Sequence, residues 1–110
     1  MNWIDLTSES QLGAIVEQSH LKPVVLFKHS TRCSISVTAK SRLERAWDFA
    51  DTEIDAYYLD LLNFRSISNK IADDFAVHHE SPQLLLIRNG ECTYVETHLG
   101  ISVADLKTQL

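Results

Sequence analysis

Cysteine, proline and glycine are all scarce in this chain, with two, two and three residues among 110. Two isolated thiols, Cys33 and Cys92, cannot form the disulfide framework that staples a small secreted scaffold. With so few breakers, no Pro, Gly or Ser-rich linker divides the sequence, and neither repeats nor low-complexity tracts occur. Long hydrophobic runs are missing too; none approaches the ~20 apolar residues of a membrane span. The opening MNWIDLTSES has neither the basic segment nor the apolar stretch of a secretion signal. A cytoplasmic protein without a membrane partner is therefore expected, and in a reducing compartment an isolated thiol is either reactive or simply buried. Positive charge is thin: ten Lys and Arg against fifteen Asp and Glu give a net charge of −5. The basic residues are scattered, so nucleic-acid binding driven by counterion release is not expected.

What is present is the composition of a globule. Hydrophobic residues make up 45% and charged residues 23%, which suits one domain over residues 1–110 with its own core. WIDL (3–6) reads as a short edge strand. Ser8 with Gln11 resembles a capping box, ahead of a helix with Leu12, Ile15 and Val16 on one face that runs to about His20. Lys22-Pro23 ends it. VVLFKH (24–29) has the continuous apolarity of a strand covered on both faces. From Ser34, the positions Ile35, Ala39, Leu43, Ala46, Trp47 and Ala50 recur at helical spacing. IDAYYLDLL (54–62) reads as another buried strand, after which Asn63 is placed to cap a helix with Phe64, Ile67, Ile71 and Phe75 inward. His78-His79 would end that helix, where imidazolium suits the negative dipole end. In 83–98, two strand-like runs flank Asn89-Gly90, a dipeptide suited to the positive φ angles of a tight hairpin. Gly100 breaks the second strand, and Ser102 caps a last helix with Val103, Leu106 and Leu110 inward.

The resulting order is β-α-β-α-β-α-β-β-α. Strands alternating with helices and closed by an antiparallel hairpin imply an α/β fold whose mixed central sheet is flanked by helices on both faces. That order resembles the thioredoxin arrangement.

In such a sheet, reacting groups gather at the carboxyl ends of the parallel strands. Cys33 follows the 24–29 strand and opens the next helix, so open backbone N–H groups and the positive dipole end face its sulfur and favour thiolate. Arg32 beside it, and His29, would add positive charge. A cysteine at a helix start can also be mere filling, but the flanks HSTRCSIS are polar and suit an exposed segment. Three residues on, Ser36 makes the motif C-x-x-S. Its hydroxyl cannot form a second disulfide, although it can donate a hydrogen bond to the Cys33 thiolate; an ordinary first-turn serine is the plain alternative. Cys92 lies just past the hairpin turn, where seven or eight residues of strand at ~3.3 Å each would hold it over ~20 Å away. A passive core or edge cysteine is the expectation there.

Pro82 opens a strand, where its missing N–H is tolerated. In the thioredoxin arrangement this is the position of a cis proline facing the active cysteine, and the backbone of Ser81 before it would pair with an extended substrate chain. Gly100, at the other end of the hairpin, would return to the same edge and let a substrate backbone approach.

KHSTRCSIS and HESPQLLLIRNGE, with AYYLDL between them, resemble the monothiol bacilliredoxins, thioredoxin-fold proteins of bacteria that use bacillithiol as their small thiol. The resemblance implies that Cys33 attacks mixed disulfides between bacillithiol and the cysteines of client proteins. The bacillithiol would pass to Cys33 and be removed later by a second thiol. It further implies a catalytic role for Cys33, Ser36 and Arg32, and substrate-binding roles for Thr31, Ser34, Ser81, Pro82 and Gly100. No resident cofactor or metal is implied, only bacillithiol as co-substrate and S-bacillithiolated proteins as partners. Two departures stand out. Ser34 occupies a place where such motifs often carry proline, a good first-turn residue, and no carboxylate lies near Leu26 or Phe27, where thioredoxin keeps its buried proton acceptor. Two other functions fit a C-x-x-S thioredoxin fold: an iron–sulfur module of the monothiol glutaredoxin type, and a redox-inert interaction domain. His29, His78, His79 and His98 form no tight metal-ligand pattern with Cys33.

Overall fold

The computed structural model describes all of residues 1–110. Five strands form where apolar and β-branched residues run together: β1 (Trp3–Asp5), β2 (Val24–His29), β3 (Asp55–Asp60), β4 (Gln83–Arg88) and β5 (Glu91–Thr97). They are joined by α1 (Ser10–Gln18), α2 (Ser34–Ala46) and α3 (Arg65–Phe75), and a 3-10 turn (His98–Gly100) leads into α4 (Val103–Lys107). The strand order is β1-β3-β2-β4-β5. β1 and β2 run parallel to β3, β4 runs antiparallel to β2 with Lys28 opposite Gln83, and β5 runs antiparallel to β4. The carboxyl ends of β2 and β3 and the amino end of β4 therefore share one edge, and the loops after β2 and before β4 carry Cys33, Ser81 and Pro82.

The central strands β2 and β4 are buried on both faces, which is why VVLF and LLLI within them read as apolar runs. Leu12 and Ile15 of α1 and Ile67 and Ile71 of α3 cover Val24, Leu26 and Leu85 on one face. Ala39 and Leu43 of α2, with Leu106 of α4, cover Val25, Phe27 and Leu86 on the other. Asn89 at φ +53° and Gly90 at φ +79° supply the two left-handed residues of the hairpin turn. Ser102 caps α4 as expected, accepting from the Asp105 N–H at 3.1 Å.

Several local expectations shift. β1 stops at Asp5, although the Leu6 N–H still reaches Tyr58 O at 2.9 Å. The box before α1 is only half made: the Gln11 side chain accepts from the N–H groups of Thr7 and Ser8, while no side chain caps the helix itself. α2 ends at Ala46 because Trp47 is extended and packs edge-on against Phe49 at 4.9 Å. Asn63 donates to the Asp60 carboxylate at 2.7 Å instead of capping, and Phe64 takes the N-cap position before α3 with no side-chain hydrogen bond to the helix. α4 stops at Lys107, leaving Leu110 exposed. α3 ends at Phe75 through a left-handed Ala76 (φ 54°), so His78 and His79 lie beyond it, in the loop running into β4. No helix is long and apolar enough to cross a membrane.

Candidate functional site

Four residues of turn separate the end of β2 from α2, and Cys33 closes them. Its N–H donates to Ser30 O at 3.2 Å, its carbonyl accepts from Val37 N at 3.0 Å, and its extended backbone (φ −108°, ψ 117°) places it immediately before the first helical turn. No side chain caps that turn, so its N–H groups stay open beside the sulfur. The thiol is half-buried, while Thr31, Arg32 and Ser34 around it are exposed. That matches the polar reading of the segment.

Ser36 does something other than expected. It is fully buried, and its Oγ accepts from the Ser30 N–H at 3.0 Å and lies 2.6 Å from His29 Nδ1. The hydrogen bond to Cys33 is not made. With the backbone N–H already occupying a lone pair, the hydroxyl hydrogen is free to donate to a neutral His29. The serine thus ties the strand end to the helix across the turn that presents Cys33. His29 itself is 4% exposed, stacked on Phe27 and tilted against Tyr58. Burial, with the charge of Lys40, pushes its pKa below the ordinary value against the opposing pull of Asp60. That shift favours the neutral ring, which works against the positive charge the sequence suggested for it beside the sulfur.

Across the edge, the Ser81-Pro82 bond is cis, as the topology suggested. Pro82 is buried, and its carbonyl accepts from the His98 N–H at 3.0 Å, which ties the 3-10 turn to the same edge. Ser81 is the opposite case. Its backbone N–H and C=O have no protein partner, and neither does its buried Oγ. Gly100 is exposed one turn further on, and a Cβ built there would come within 2.7 Å of the Glu96 carboxylate, the movable end of a side chain. Arg42 of α2 donates to Leu99 O at 3.0 Å, holding this turn against the helix that Cys33 opens. The register therefore gathers Cys33, Ser81, Pro82 and Gly100 at one end of the sheet.

Cys92 is elsewhere. It lies opposite Ile87, only five residues of strand or roughly 16 Å from Pro82 at ~3.3 Å per residue, short of the expected seven or eight residues because Cys92 folds back past the turn to pair with Ile87. Two inter-strand steps from β2 to β5 add to that sideways. The sulfur is packed against the α1 and α3 face of the core and contacts Tyr94 O at 3.5 Å, and burial pushes its pKa up. A second thiol within reach of Cys33 is therefore lacking. No three or more His, Cys, Asp or Glu side chains gather as a metal-binding group.

Two buried polar residues near this edge escaped the sequence reading. Lys28 is 0% exposed near the end of a run taken as apolar. Its Nζ donates to Ser68 O at 3.1 Å and to His79 Nδ1 at 3.2 Å. Opposite it, Gln83 is equally buried and donates to His78 O at 2.9 Å. A lysine inside VVLFKH was the visible signal. A cleft of about 360 Å³ also runs along α2, lined by Thr31, Val37, Lys40 and Glu44 with His29 and Tyr58 behind them. Val37 stands one helical turn below Cys33.

Solved structures agree with this architecture. A protein described as a candidate oxidoreductase with a thioredoxin fold is 33% identical, with a TM-score of 0.81 over 97% of this chain and 92% of its own. Thioredoxin from Trypanosoma brucei brucei gives 0.76 at 16% identity over 98% and 87% of the two chains. Schistosoma mansoni thioredoxin gives 0.67 at 21% over 98% and 94%. At those identities the two thioredoxins speak for the fold, which is thioredoxin-like. The family model described as Monothiol bacilliredoxin BrxC matches residues 4–106, an interval that takes in the single reactive-edge cysteine, the C-x-x-S turn and the cis proline, and so the chain belongs to the monothiol bacilliredoxin family.

Proposed function

We propose that the protein is a cytoplasmic monothiol thiol-disulfide oxidoreductase that removes bacillithiol from protein mixed disulfides, as in recovery from oxidative stress. The observation that carries this reading is a lone half-buried cysteine at an uncapped helix start, with the chain's other thiol at the far end of the sheet. A thiolate formed there meets open N–H groups and the positive helix end, with exposed Arg32 adjacent.

The Cys33 thiolate attacks the bacillithiol sulfur of the mixed disulfide. A sulfur–sulfur bond forms to Cys33 as the client's bond to bacillithiol breaks, and the client cysteine leaves as a thiolate that takes up a proton from water. No second thiol can displace the adduct from within, so an external thiol must attack it, releasing Cys33 and carrying the disulfide away. Ser81, with unpaired N–H and C=O, offers the edge on which an extended client segment pairs, while Pro82 and Gly100 shape that edge. Thr31 and Ser34 flank the sulfur, and the cleft below Thr31 has room for the polar remainder of a small thiol. Bacillithiol serves as co-substrate, with no resident cofactor.

The test is mass spectrometry after incubation with a bacillithiol-modified client. The expected products are free client and a Cys33 adduct heavier by one bacillithiol. Cys33→Ala should abolish transfer and Cys92→Ser should leave it nearly intact. Equal transfer by Cys33→Ala would sink the reading.

A further inference from the structure

The loop that runs from Ala76 into the cis proline is tied by backbone hydrogen bonds at its two ends, where Ala72 O accepts from the Ala76 and Val77 N–H groups and Pro82 O accepts from His98 N, and the N–H groups of residues 78–81 have no backbone acceptor. Between them it is held from beneath. Lys28 on β2 and Gln83 on β4 are direct cross-strand partners. Both are buried, both donate, and their targets are consecutive residues of the loop: Gln83 Nε2 to His78 O at 2.9 Å, Lys28 Nζ to His79 Nδ1 at 3.2 Å. Ser68 of α3 completes the cluster, its carbonyl accepting from Lys28 and its Oγ lying 3.3 Å from the same His79 nitrogen. Lys28 has no carboxylate partner in this cluster, and an uncompensated buried ammonium is expensive. A methionine would fill the same space at no such cost. Two residues past His79 stands Ser81, whose N–H and C=O are unpaired.

We infer that Lys28 and Gln83 form a two-point clamp that positions the His78–Ser81 segment, so that the open backbone of Ser81 is held ready for a client strand, with Lys28 as the positioning residue for client recognition. His79 must accept at Nδ1, so the clamp needs a neutral imidazole, and burial together with the Lys28 charge holds its pKa below the ordinary value. The inference deepens the proposed transfer reaction and rests on it for the identity of the client. The clamp itself does not depend on that reaction.

Two measurements on the intact protein decide it. Hydrogen exchange compares the amides of residues 77–81 in wild type and Lys28→Met; the clamp requires them to exchange at least tenfold faster in the variant, with the β2 and β3 amides unchanged. Steady-state transfer should show KM for a bacillithiol-modified protein client rising about tenfold with kcat within twofold. A mixed disulfide of bacillithiol with a small aryl thiol, which has no strand to pair, should show no KM change. His79→Gln, which keeps an acceptor, should retain the wild-type KM better than His79→Ala. Unchanged loop exchange overturns the clamp. Faster exchange with no change in client KM overturns the recognition role. If wild type transfers from neither substrate, the reaction reading fails while the exchange data still decide the clamp.

Discussion

Lys28 is a residue whose native environment opposes its charge. Burial lowers its pKa from 10.5 to about 8, so the folded state holds the proton less tightly than the unfolded chain. Between those two values the unfolded state binds more protons, and stability rises with pH there. The difference corresponds to about 3 kcal/mol, carried in full as a cost below pH 8 and relieved as pH climbs toward 10.5. The unfolding free energy of wild type minus that of Lys28→Met should therefore increase from pH 7 to pH 10. Urea titrations across that range check it, and a flat difference would mean that the ammonium is solvated. Ser36 works in the other direction. Replacing it with Ala leaves the Ser30 N–H and His29 Nδ1 without their shared partner, and burying unpaired groups costs about 1–3 kcal/mol each. With two groups orphaned, Ser36→Ala should lower stability by about 2–6 kcal/mol and slow bacillithiol transfer through a looser Cys33 turn, without abolishing it. Chemical denaturation together with transfer rates separates the two effects.

At the level of elements, the runs that fill a two-sided core were legible because nothing polar competes within them. VVLF and LLLI could only be central strands, and Asn89-Gly90 could only be a hairpin turn, since both positions take positive φ. Helix ends were legible only where local chemistry decided them. Ser102 caps α4, but Asn63 finds the Asp60 carboxylate nearer, and Trp47 leaves α2 early for an aromatic partner. Both partners are only two or three residues away in sequence, so a nearby side chain outcompeted the capping and periodicity rules, and helical spacing alone does not register that competition. The candidate site was readable to the same degree. Cys33, Ser81 and Pro82 lie where alternation and topology put them. The partner of Ser36 and the clamp under His79 were hidden, because each depends on which face of β2 a polar side chain takes. His29 turns toward α2 and Lys28 toward α3, an alternation that a fully buried strand does not announce.

For the whole molecule, the consequence of a five-stranded sheet is that its two edges of loops are chemically separate. Cys33 lies where β2 and β3 end and β4 begins; Cys92 lies beside the hairpin turn, opposite Ile87, which itself pairs with Val24 at the start of β2. A disulfide needs Cα atoms within about 7 Å, and the strand register alone puts roughly 16 Å between Pro82 and the level of Cys92. The two thiols also differ in access, since Cys92 is packed against the core and its burial opposes ionisation. Oxidation with diamide in the absence of any small thiol should therefore produce no Cys33-to-Cys92 bridge in the folded protein. The product should be a Cys33-linked dimer, formed between molecules and lost at high dilution, with Cys92 still free to react after denaturation. Peptide mapping under non-reducing conditions reads this directly, and an internal bridge formed without unfolding would contradict both the register and the one-thiol mechanism built on it.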